Sequence, residues 1–296
     1  SFDELLNQDL DAIVVLTESG KHTKHSRRVL NSGKHVIVEK PAALIPQEIF
    51  ETEKLAAKKG LMYSVMLQNR LNPAMQKLKK TFDSLRFGKL VLATIRLRWC
   101  RYQDYYEDGW HGTWKMDGGV VNQQAIHHLD ALQWICGPIQ EVVAAQTNAL
   151  NKLEAEDTTV ATVKFLNGSL GAIEVTTAAR PEDFEASISV VGEKGMAVVG
   201  GIALNKINTW LFTDPQPEDE TVPIDFSQEV PTGYGLSHGP LLQEIVNRLS
   251  SGRTDPPISG TDASHCVKLA HALYKSVELN GWVNLQKNPI SSRLGK

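Results

Sequence analysis

The sequence predicts an α/β domain with a parallel sheet, followed by an α+β domain with a mostly antiparallel, open sheet. In the first part, near-continuous apolar runs suited to strands buried on both faces alternate with short helices. From Lys89 onward, apolar and polar residues alternate with a period of two, which is typical of strands with one solvated face. Asn167 and Gly168, between two such runs, form a strong hairpin signal. We therefore divide the chain into domains at 1–68 and 69–296.

The first domain begins with a capping-box pattern, Ser1 followed by Glu4, which predicts a short helix. The elements predicted next are a strand at 11–17, a helix through 27–30 ending near Gly33, a strand at 35–39, a helix over 47–59 closed by Gly60, and a strand at 61–67. Strands joined by helices in this way form right-handed crossovers, so we expect them to be parallel. The first domain is then part of a doubly wound domain.

The second domain opens with a strand over 89–99, in which Ile95 and Leu97 alternate with arginines. Further strands are predicted near 141–148, 158–165, 169–177, 186–191, 195–200 and 207–212, and helices near 239–250 and 261–279. The Pro-rich, acidic segment 215–220 is expected to be a mobile loop.

Composition excludes several classes of partner. The chain has 296 residues, 42% of them hydrophobic, and a net charge of −3 without a basic stripe, so we expect no nucleic-acid partner. No run of 18 apolar residues is present, so we expect no membrane span. The odd, widely spaced set Cys100, Cys136 and Cys266 favours a reducing cytoplasm. The histidines lack a convergent carboxylate or cysteine set, so we expect no metal site.

The stretch VIVEKPAAL, at 36–44, is the first candidate for a site. The buried run that begins at Val36 passes directly into Glu39 and Lys40 at its carboxyl end. Ligands bind at that edge of open α/β sheets. On this stretch alone, Lys40 is equally well explained as a solvated strand end.

The stretch DGGVVNQQAIHHLDALQW, at 117–134, is the second candidate. The paired glycines would allow a tight turn before a helix, on which Gln123 and His127 are spaced to share a face and to contact each other. His128 points about 100° away. A histidine held in the core by a hydrogen bond remains the simpler explanation of this helix alone.

Three stretches together carry a family resemblance: LTESGKH at 16–22, GKHVIVEKPAAL at 33–44 and VVGEKGMAVVG at 190–200. With the Gly-Gly pair and the His-bearing helix, they resemble the glucose–fructose oxidoreductase/inositol dehydrogenase (Gfo/Idh/MocA) family. The stretches MLQNRLNP, RYQDYY, WHGTWKMDGG, EAEDTTV, NKINTW and YGLSHG resemble its branch that oxidises UDP-N-acetyl-glucosaminuronic acid (UDP-GlcNAcA) at C3. The resemblance implies a partial Rossmann domain and NAD as cofactor, with NADP not excluded.

The resemblance also implies catalytic roles. Lys40 would stabilise alkoxide character as the hydride leaves, aimed by a Lys40–Pro41 bond that is a candidate for the cis form. His127 would take the hydroxyl proton. Gln123 stands where the family has Asp or Asn, and it would orient the ring of His127 without supplying a charge.

Binding residues follow from the same resemblance. Residues implied to bind the cofactor are Thr17, Ser19, His22, Glu39, Lys40, Gln68 and Asn69. Residues implied to bind the substrate are Lys40, Arg101, Tyr105, Tyr106, Trp110, Gln123, His127, Arg180, Tyr234 and His238. His111 replaces an Arg of the branch, which weakens the case for a bound carboxylate.

The family carries a Gly-rich βαβ unit for the pyrophosphate before the first helix seen here. We expect it to precede Ser1 in a longer chain, and residues 1–296 alone to bind NAD weakly. The leading function is NAD-dependent oxidation of a nucleotide sugar by a cytoplasmic homodimer or homotetramer. The alternatives are an inositol or other sugar dehydrogenase of the family, and a non-catalytic sugar- or cofactor-binding protein on the same fold.

Overall fold

The computed structural model describes residues 1–296, which form a three-stranded parallel sheet and an eight-stranded, mostly antiparallel sheet. The first sheet and its helices comprise α1 (Phe2–Leu6), β1 (Ala12–Val15), α2 (His22–Asn31), β2 (His35–Val38), α3 (Pro46–Lys58) and β3 (Tyr63–Val65). The remaining elements are α4 (Pro73–Asp83), β4 (Leu90–Arg98), α5 (Ile126–Cys136), β5 (Ile139–Thr147), β6 (Thr158–Phe165), β7 (Leu170–Thr176), β8 (Glu185–Gly192), β9 (Gly195–Gly200), β10 (Lys206–Phe212), α6 (Val222–Asp225), α7 (His238–Ser250), α8 (Gly260–Leu279) and β11 (Val283–Asn284). The predicted fold class is confirmed.

The parallel sheet has the order β1-β2-β3, and β2 is its central strand. Val36 pairs with Ile13 on one side and with Tyr63 on the other. Side chains on both faces of β2 are buried, which explains its continuous apolar run. Because the three strands are parallel, the residues that follow each of them meet at one edge of the sheet.

The larger sheet has the order β10-β9-β8-β4-β7-β6-β5-β11. Its neighbours are antiparallel except β4 and β7, which pair in parallel. The predicted hairpin is present, with Lys164 of β6 opposite Leu170 of β7 and Gly168 at φ +86° in the turn. Only glycine adopts that conformation without strain.

The segment before α5 differs from the sequence prediction. The helix begins at Ile126, and residues 120–125 form turns ahead of it. Gly118 has φ +83°, and a Cβ on Gly119 would lie 2.1 Å from the main-chain oxygen of Glu156. Both glycines are therefore required, and Gln123 belongs to the turn instead of to the helix face.

Two other segments were mispredicted. The helix α4 was not foreseen. The acidic segment 215–220 was expected to be mobile, but it contains a 3-10 turn at Pro217–Glu220 in which Asp219 is buried. Asp219 accepts hydrogen bonds from Arg86 and from Nε1 of Trp210, at 2.6 and 2.9 Å. The buried Trp210 and the partly buried Arg86 therefore hold Asp219 in place.

The last helix, α8, packs against α3 and β3 of the first sheet and against α5 and β5 of the second. The main-chain nitrogen of Val65 donates to the oxygen of Ile258, and His271 contacts the oxygen of Leu44 at 2.8 Å. The division at residue 68 stays a prediction, because α8 belongs to both units. None of the helices is long and apolar enough to cross a membrane.

Candidate active site

A cleft of about 600 Å³ opens beside the carboxyl ends of β2 and β3, facing the turn before α5. Its lining residues are Glu39, Lys40, Gln68, Trp99, Arg101, Tyr105, Gln123, Gln124, His127, Gly233, Tyr234 and His238. The first sheet supplies three of them and the rest of the chain supplies the others. The cleft therefore lies between the two sheets, at the edge of the parallel sheet where ligands are expected.

Lys40 lies two residues after the end of β2 and reaches across the cleft. The peptide bond between Lys40 and Pro41 is cis, as the sequence suggested. The Nζ atom donates to the main-chain oxygen of Gln123 at 2.9 Å and to the side-chain oxygen of the same residue. Burial lowers the pKa of Lys40, and the neighbouring carboxylates of Glu39 and Asp117 oppose this effect. Lys40 is thus a buried, hydrogen-bonded ammonium rather than a solvated strand end.

No hydrogen bond joins Gln123 to His127, in contrast to the sequence interpretation. Its Nε2 atom donates to Oδ1 of Asp117 at 2.7 Å, while its Oε1 atom accepts from Lys40. Because the helix begins only at Ile126, Gln123 does not share a helix face with His127, although both residues line the cleft. The amide instead joins a carboxylate to an ammonium.

Asp117 is a site residue that the sequence reasoning missed. It is 1% exposed, accepts from the main-chain nitrogen of Gly112 at 3.0 Å, and accepts from the Ser19 hydroxyl at 3.4 Å. Burial raises its pKa to about 7. Its place directly before the Gly-Gly pair was visible in the sequence, but its partner Ser19 lies 98 residues away, and Gln123 reaches it through the turn before α5.

His127 lines the cleft and is 8% exposed. Its Nδ1 atom is buried without a hydrogen-bond partner, so Nε2 is the nitrogen that can act on a ligand. Burial, with the charge of Lys40 as a second cause, lowers the pKa of His127 well below its usual value. The imidazole is therefore neutral at pH 7 and able to accept a proton.

His128 lies on the other side of α5, as its spacing predicted. Its ring packs edge-on against Trp99, with centroids 6.4 Å apart, and neither ring nitrogen has a partner. Burial lowers its pKa to about 3. This imidazole acts as an apolar core residue.

The residues expected to bind the cofactor divide into two groups. Glu39, Lys40 and Gln68 line the cleft, and the side-chain oxygens of Gln68 and Asn69 are buried without a partner. Such orphaned acceptors fit a ligand that carries an amide donor, as the nicotinamide group does. The residues present at this edge are thus compatible with NAD.

The other three make contacts within the protein. His22 places one nitrogen 2.7 Å from the oxygen of Pro41 and the other 2.8 Å from the oxygen of Thr17, so both nitrogens have partners within the protein, and its role at the cofactor stays a prediction. Thr17 pairs with His25 at 3.0 Å, and Ser19 donates to Asp117. His22 instead holds together the segments that follow β1 and β2.

Of the residues expected to bind the substrate, Arg101, Tyr105, Tyr234 and His238 line the cleft with the catalytic candidates. Arg101 pairs with Asp183 at 2.9 Å through Nη1. The Trp99 indole, Gln124 and Gly233 were missed. The strand pattern explained Trp99 as core, and no pattern distinguished Gln124 from its neighbours.

Three expected residues lie outside the cleft. Tyr106 bonds to the Thr177 hydroxyl at 2.7 Å, and Trp110 stacks on His111, whose Nδ1 lies 2.6 Å from Asp108. The Arg180 guanidinium donates to the main-chain oxygens of Thr177 and Ala179 and to the Asn151 side chain. Other parts of the protein therefore contact these three side chains, and none of the three lines the cleft.

Comparison with solved structures gives two close matches in fold. The WlbA dehydrogenase from Bordetella pertussis, in complex with NADH and UDP-GlcNAcA, is 33% identical, with a TM-score of 0.86 over 96% of this chain and 81% of that one. The WlbA dehydrogenase from Chromobacterium violaceum, also with NADH and UDP-GlcNAcA, is 33% identical, with a TM-score of 0.87 over 96% and 80%.

Comparison with curated sequences gives more distant relatives. The myo-inositol 2-dehydrogenase of Thermotoga maritima is 24% identical, covering 94% of this chain and 81% of its own length. The NAD(+)-dependent scyllo-inositol 2-dehydrogenase of Bacillus subtilis is 22% identical, covering 89% and 74%.

Two family models match different parts of the chain. Residues 1–67 match the oxidoreductase family with an NAD-binding Rossmann fold, and residues 75–198 match the GFO/IDH/MocA C-terminal domain. The resemblance stated from the sequence and the NAD cofactor are thereby confirmed. The chain belongs to the GFO/IDH/MocA family of NAD-dependent oxidoreductases.

Proposed function

We propose that this protein is a dehydrogenase that oxidises C3 of a UDP-N-acetyl-glucosaminuronic acid with NAD. The observation that carries the oxidation of a hydroxyl group is the placement of Lys40 and His127 in one cleft at the edge of the parallel sheet. One residue offers a positive charge and the other a neutral imidazole, which are the two groups that removal of an alcohol proton requires.

The protein's part in the reaction follows from these two groups. Bound NAD supplies the hydride acceptor. The Nε2 atom of His127 takes the hydroxyl proton, and its low pKa keeps that nitrogen unprotonated beforehand. The Lys40 ammonium stabilises the negative charge that grows on the hydroxyl oxygen. The buried setting of Lys40 strengthens that effect, because fewer water molecules screen the charge.

Two observations support a nucleotide sugar as the substrate. The WlbA dehydrogenases, whose structures contain UDP-GlcNAcA, match 96% of this chain at 33% identity. Arg101 lines the cleft, and its Nε and Nη2 atoms make no hydrogen bond within the protein. A guanidinium with free donors suits a carboxylate or a diphosphate.

A second candidate is an inositol or other free-sugar dehydrogenase. Arg180 makes contacts within the protein, and His111 pairs with Asp108. Arg101 is therefore the only guanidinium at the cleft, which favours a substrate with less negative charge than a nucleotide sugar. Two inositol 2-dehydrogenases are also among the sequence relatives. We further propose a cytoplasmic homodimer or homotetramer, as the family resemblance implies.

Substrate profiling tests these proposals. The full-length protein is incubated with NAD or NADP and with UDP-GlcNAcA, UDP-GlcNAc, myo-inositol or scyllo-inositol, and reduced cofactor is followed by absorbance. The leading proposal expects the highest kcat/KM with UDP-GlcNAcA and NAD, and a loss with UDP-GlcNAc, which lacks the carboxylate. A preference for either inositol would replace it. Ligand binding by calorimetry without turnover of any substrate would support a non-catalytic binding protein.

A further inference from the structure

The ammonium of Lys40 is connected to a buried carboxylate through a single amide. Asp117 accepts from Nε2 of Gln123 at 2.7 Å, and Oε1 of Gln123 accepts from Nζ of Lys40. An amide has one acceptor end and one donor end. A carboxylate on the donor side therefore decides that the oxygen of Gln123 faces Lys40.

Asp117 is itself held by both parts of the chain. Gly112 donates to Oδ2 at 3.0 Å, and Ser19 donates to Oδ1 from the loop after β1 at 3.4 Å. A main-chain hydrogen bond joins the same two segments, because the Gly20 nitrogen donates to the Met116 oxygen at 2.8 Å. The carboxylate is thus anchored where the first sheet meets the segment that carries Gln123.

From this chain of contacts we propose that Asp117 is a positioning residue of the active site, which orients the amide of Gln123 and through it places the Lys40 ammonium opposite His127. Asp117 does not line the cleft and has no direct role in the chemistry. The proposal rests on the proposed oxidation of a hydroxyl group and deepens it, because it names what fixes the charged group.

The role can be tested by exchanging hydrogen-bond donors and acceptors at positions 117 and 123. In Asp117→Asn, the remaining oxygen serves the Gly112 nitrogen, and the new NH₂ group faces the NH₂ group of Gln123. If the Gln123 amide turns over, its NH₂ group then faces the Lys40 ammonium, so two donors oppose each other in either case. Adding Gln123→Glu removes the conflict: the amide introduced at position 117 donates to one oxygen of the new carboxylate, and Lys40 donates to the other.

The first measurement is the steady-state rate of wild type, both single variants and the double variant. We expect Asp117→Asn to lower kcat by about 10- to 100-fold with little change in KM, as is common when a residue that orients a catalytic group is replaced. We expect the double variant to recover at least about tenfold of that loss, a coupling that independent effects do not produce. Asp219→Asn, which alters another buried, hydrogen-bonded carboxylate at a distance, serves as the control and should leave kcat unchanged.

The second measurement does not depend on turnover. The rate at which acetic anhydride modifies Lys40 is followed against pH by mass spectrometry. Asp117→Asn removes a nearby anion and should move the titration of Lys40 to lower pH, whereas the double variant should move it back. The other titratable groups near the pair, unchanged in all variants, are His22, Glu39, Arg101, Tyr105, Tyr106, Asp108, His111, His127, Glu156 and Tyr274.

The two measurements separate the outcomes. An inactive wild-type protein whose Lys40 titration shifts as expected would refute the proposed function and support the linkage. An active wild type with an unshifted Lys40 titration, or with additive losses in the double variant, would overturn the role of Asp117. If Asp117→Asn does not fold, the double variant decides alone: wild-type-like turnover supports the linkage, and an inactive folded protein refutes it.

Discussion

Lys40 and Gln123, 83 residues apart in the chain, are joined by two hydrogen bonds from one ammonium, one to the main-chain oxygen and one to the side-chain oxygen. Lys40 lies just beyond β2 of the first sheet, and Gln123 lies in the turn before α5. The contact therefore connects the cofactor side of the cleft to the side that carries His127. Disturbing either end should affect catalysis before it affects folding.

Replacing Lys40 by Ala should lower kcat by about 10²- to 10³-fold, which is typical of the loss of one charge aimed at a developing oxyanion. Formation of NADH from the best substrate is the measurement. Thermal unfolding should show a folded protein, because Lys40 follows β2 and contributes nothing to its core. Turnover close to that of wild type would return Lys40 to a structural role.

Replacing His127 should reduce activity, whereas replacing His128 should leave activity almost unchanged. His127→Ala should reduce kcat by about 10²- to 10⁴-fold and remove the acidic limb of the pH–rate profile, since the proton acceptor is lost. His128→Leu should leave kcat within about threefold and leave the free energy of unfolding unchanged or raised, because its two ring nitrogens are buried without partners. Equal losses of activity in both variants would contradict the assignment of His127.

The Gly118-Gly119 turn predicts a large effect on stability. Gly119→Ala should lower the free energy of unfolding by more than about 3 kcal/mol, since its Cβ would collide with the main chain at Glu156. Gly281→Ala is the matched control, because the nearest atom to its added Cβ lies 3.8 Å away and no positive φ is recorded there. It should change the free energy of unfolding by less than about 0.5 kcal/mol. Chemical denaturation measures both, and similar values for the two variants would disprove the close approach.

Between about pH 6.5 and 8, stability should fall as the pH rises; below that range the buried histidines, whose pKa is lowered, oppose the effect. Burial raises the pKa of Glu156 to about 8, and one of its carboxyl oxygens has no partner. The unfolded chain loses this proton near the ordinary pKa of Glu. Between that value and about 8, Glu156 therefore keeps its proton more fully in the folded state than in the unfolded state. As the pH rises, this group lowers the free energy of unfolding by at most about 1.4 kcal/mol per pH unit. Burial raises the pKa of Asp117 to about 7, which adds to the slope below that pH.

Denaturation of Glu156→Gln between pH 5 and 8 checks this expectation. The free energy of unfolding of wild type, minus that of the variant, should fall across this range, because the two proteins differ only at residue 156. An unchanged slope would show that Glu156 is ionised in the folded protein at neutral pH.

The parallel sheet and the edge that carries Lys40 were predictable from sequence, because apolar runs and their breaks are local signals. The contact between Gln123 and His127 was not, since it assumed a helix that starts several residues too early. Asp117 escaped notice for a different reason: Ser19 is brought to it only by the tertiary fold, and Gln123 reaches it through a turn where the sequence predicted a helix. Spacing along a chain carries no information about such contacts.

The helix α8, shared by both sheets, has a consequence for motion. An element packed on two modules resists rotation of one against the other, so large hinge bending of the cleft is suppressed. Catalytic preorganisation is then acquired during folding, and the substrate does not have to induce it. The same helix couples the modules energetically, and calorimetry should record a single cooperative transition with equal calorimetric and van't Hoff enthalpies.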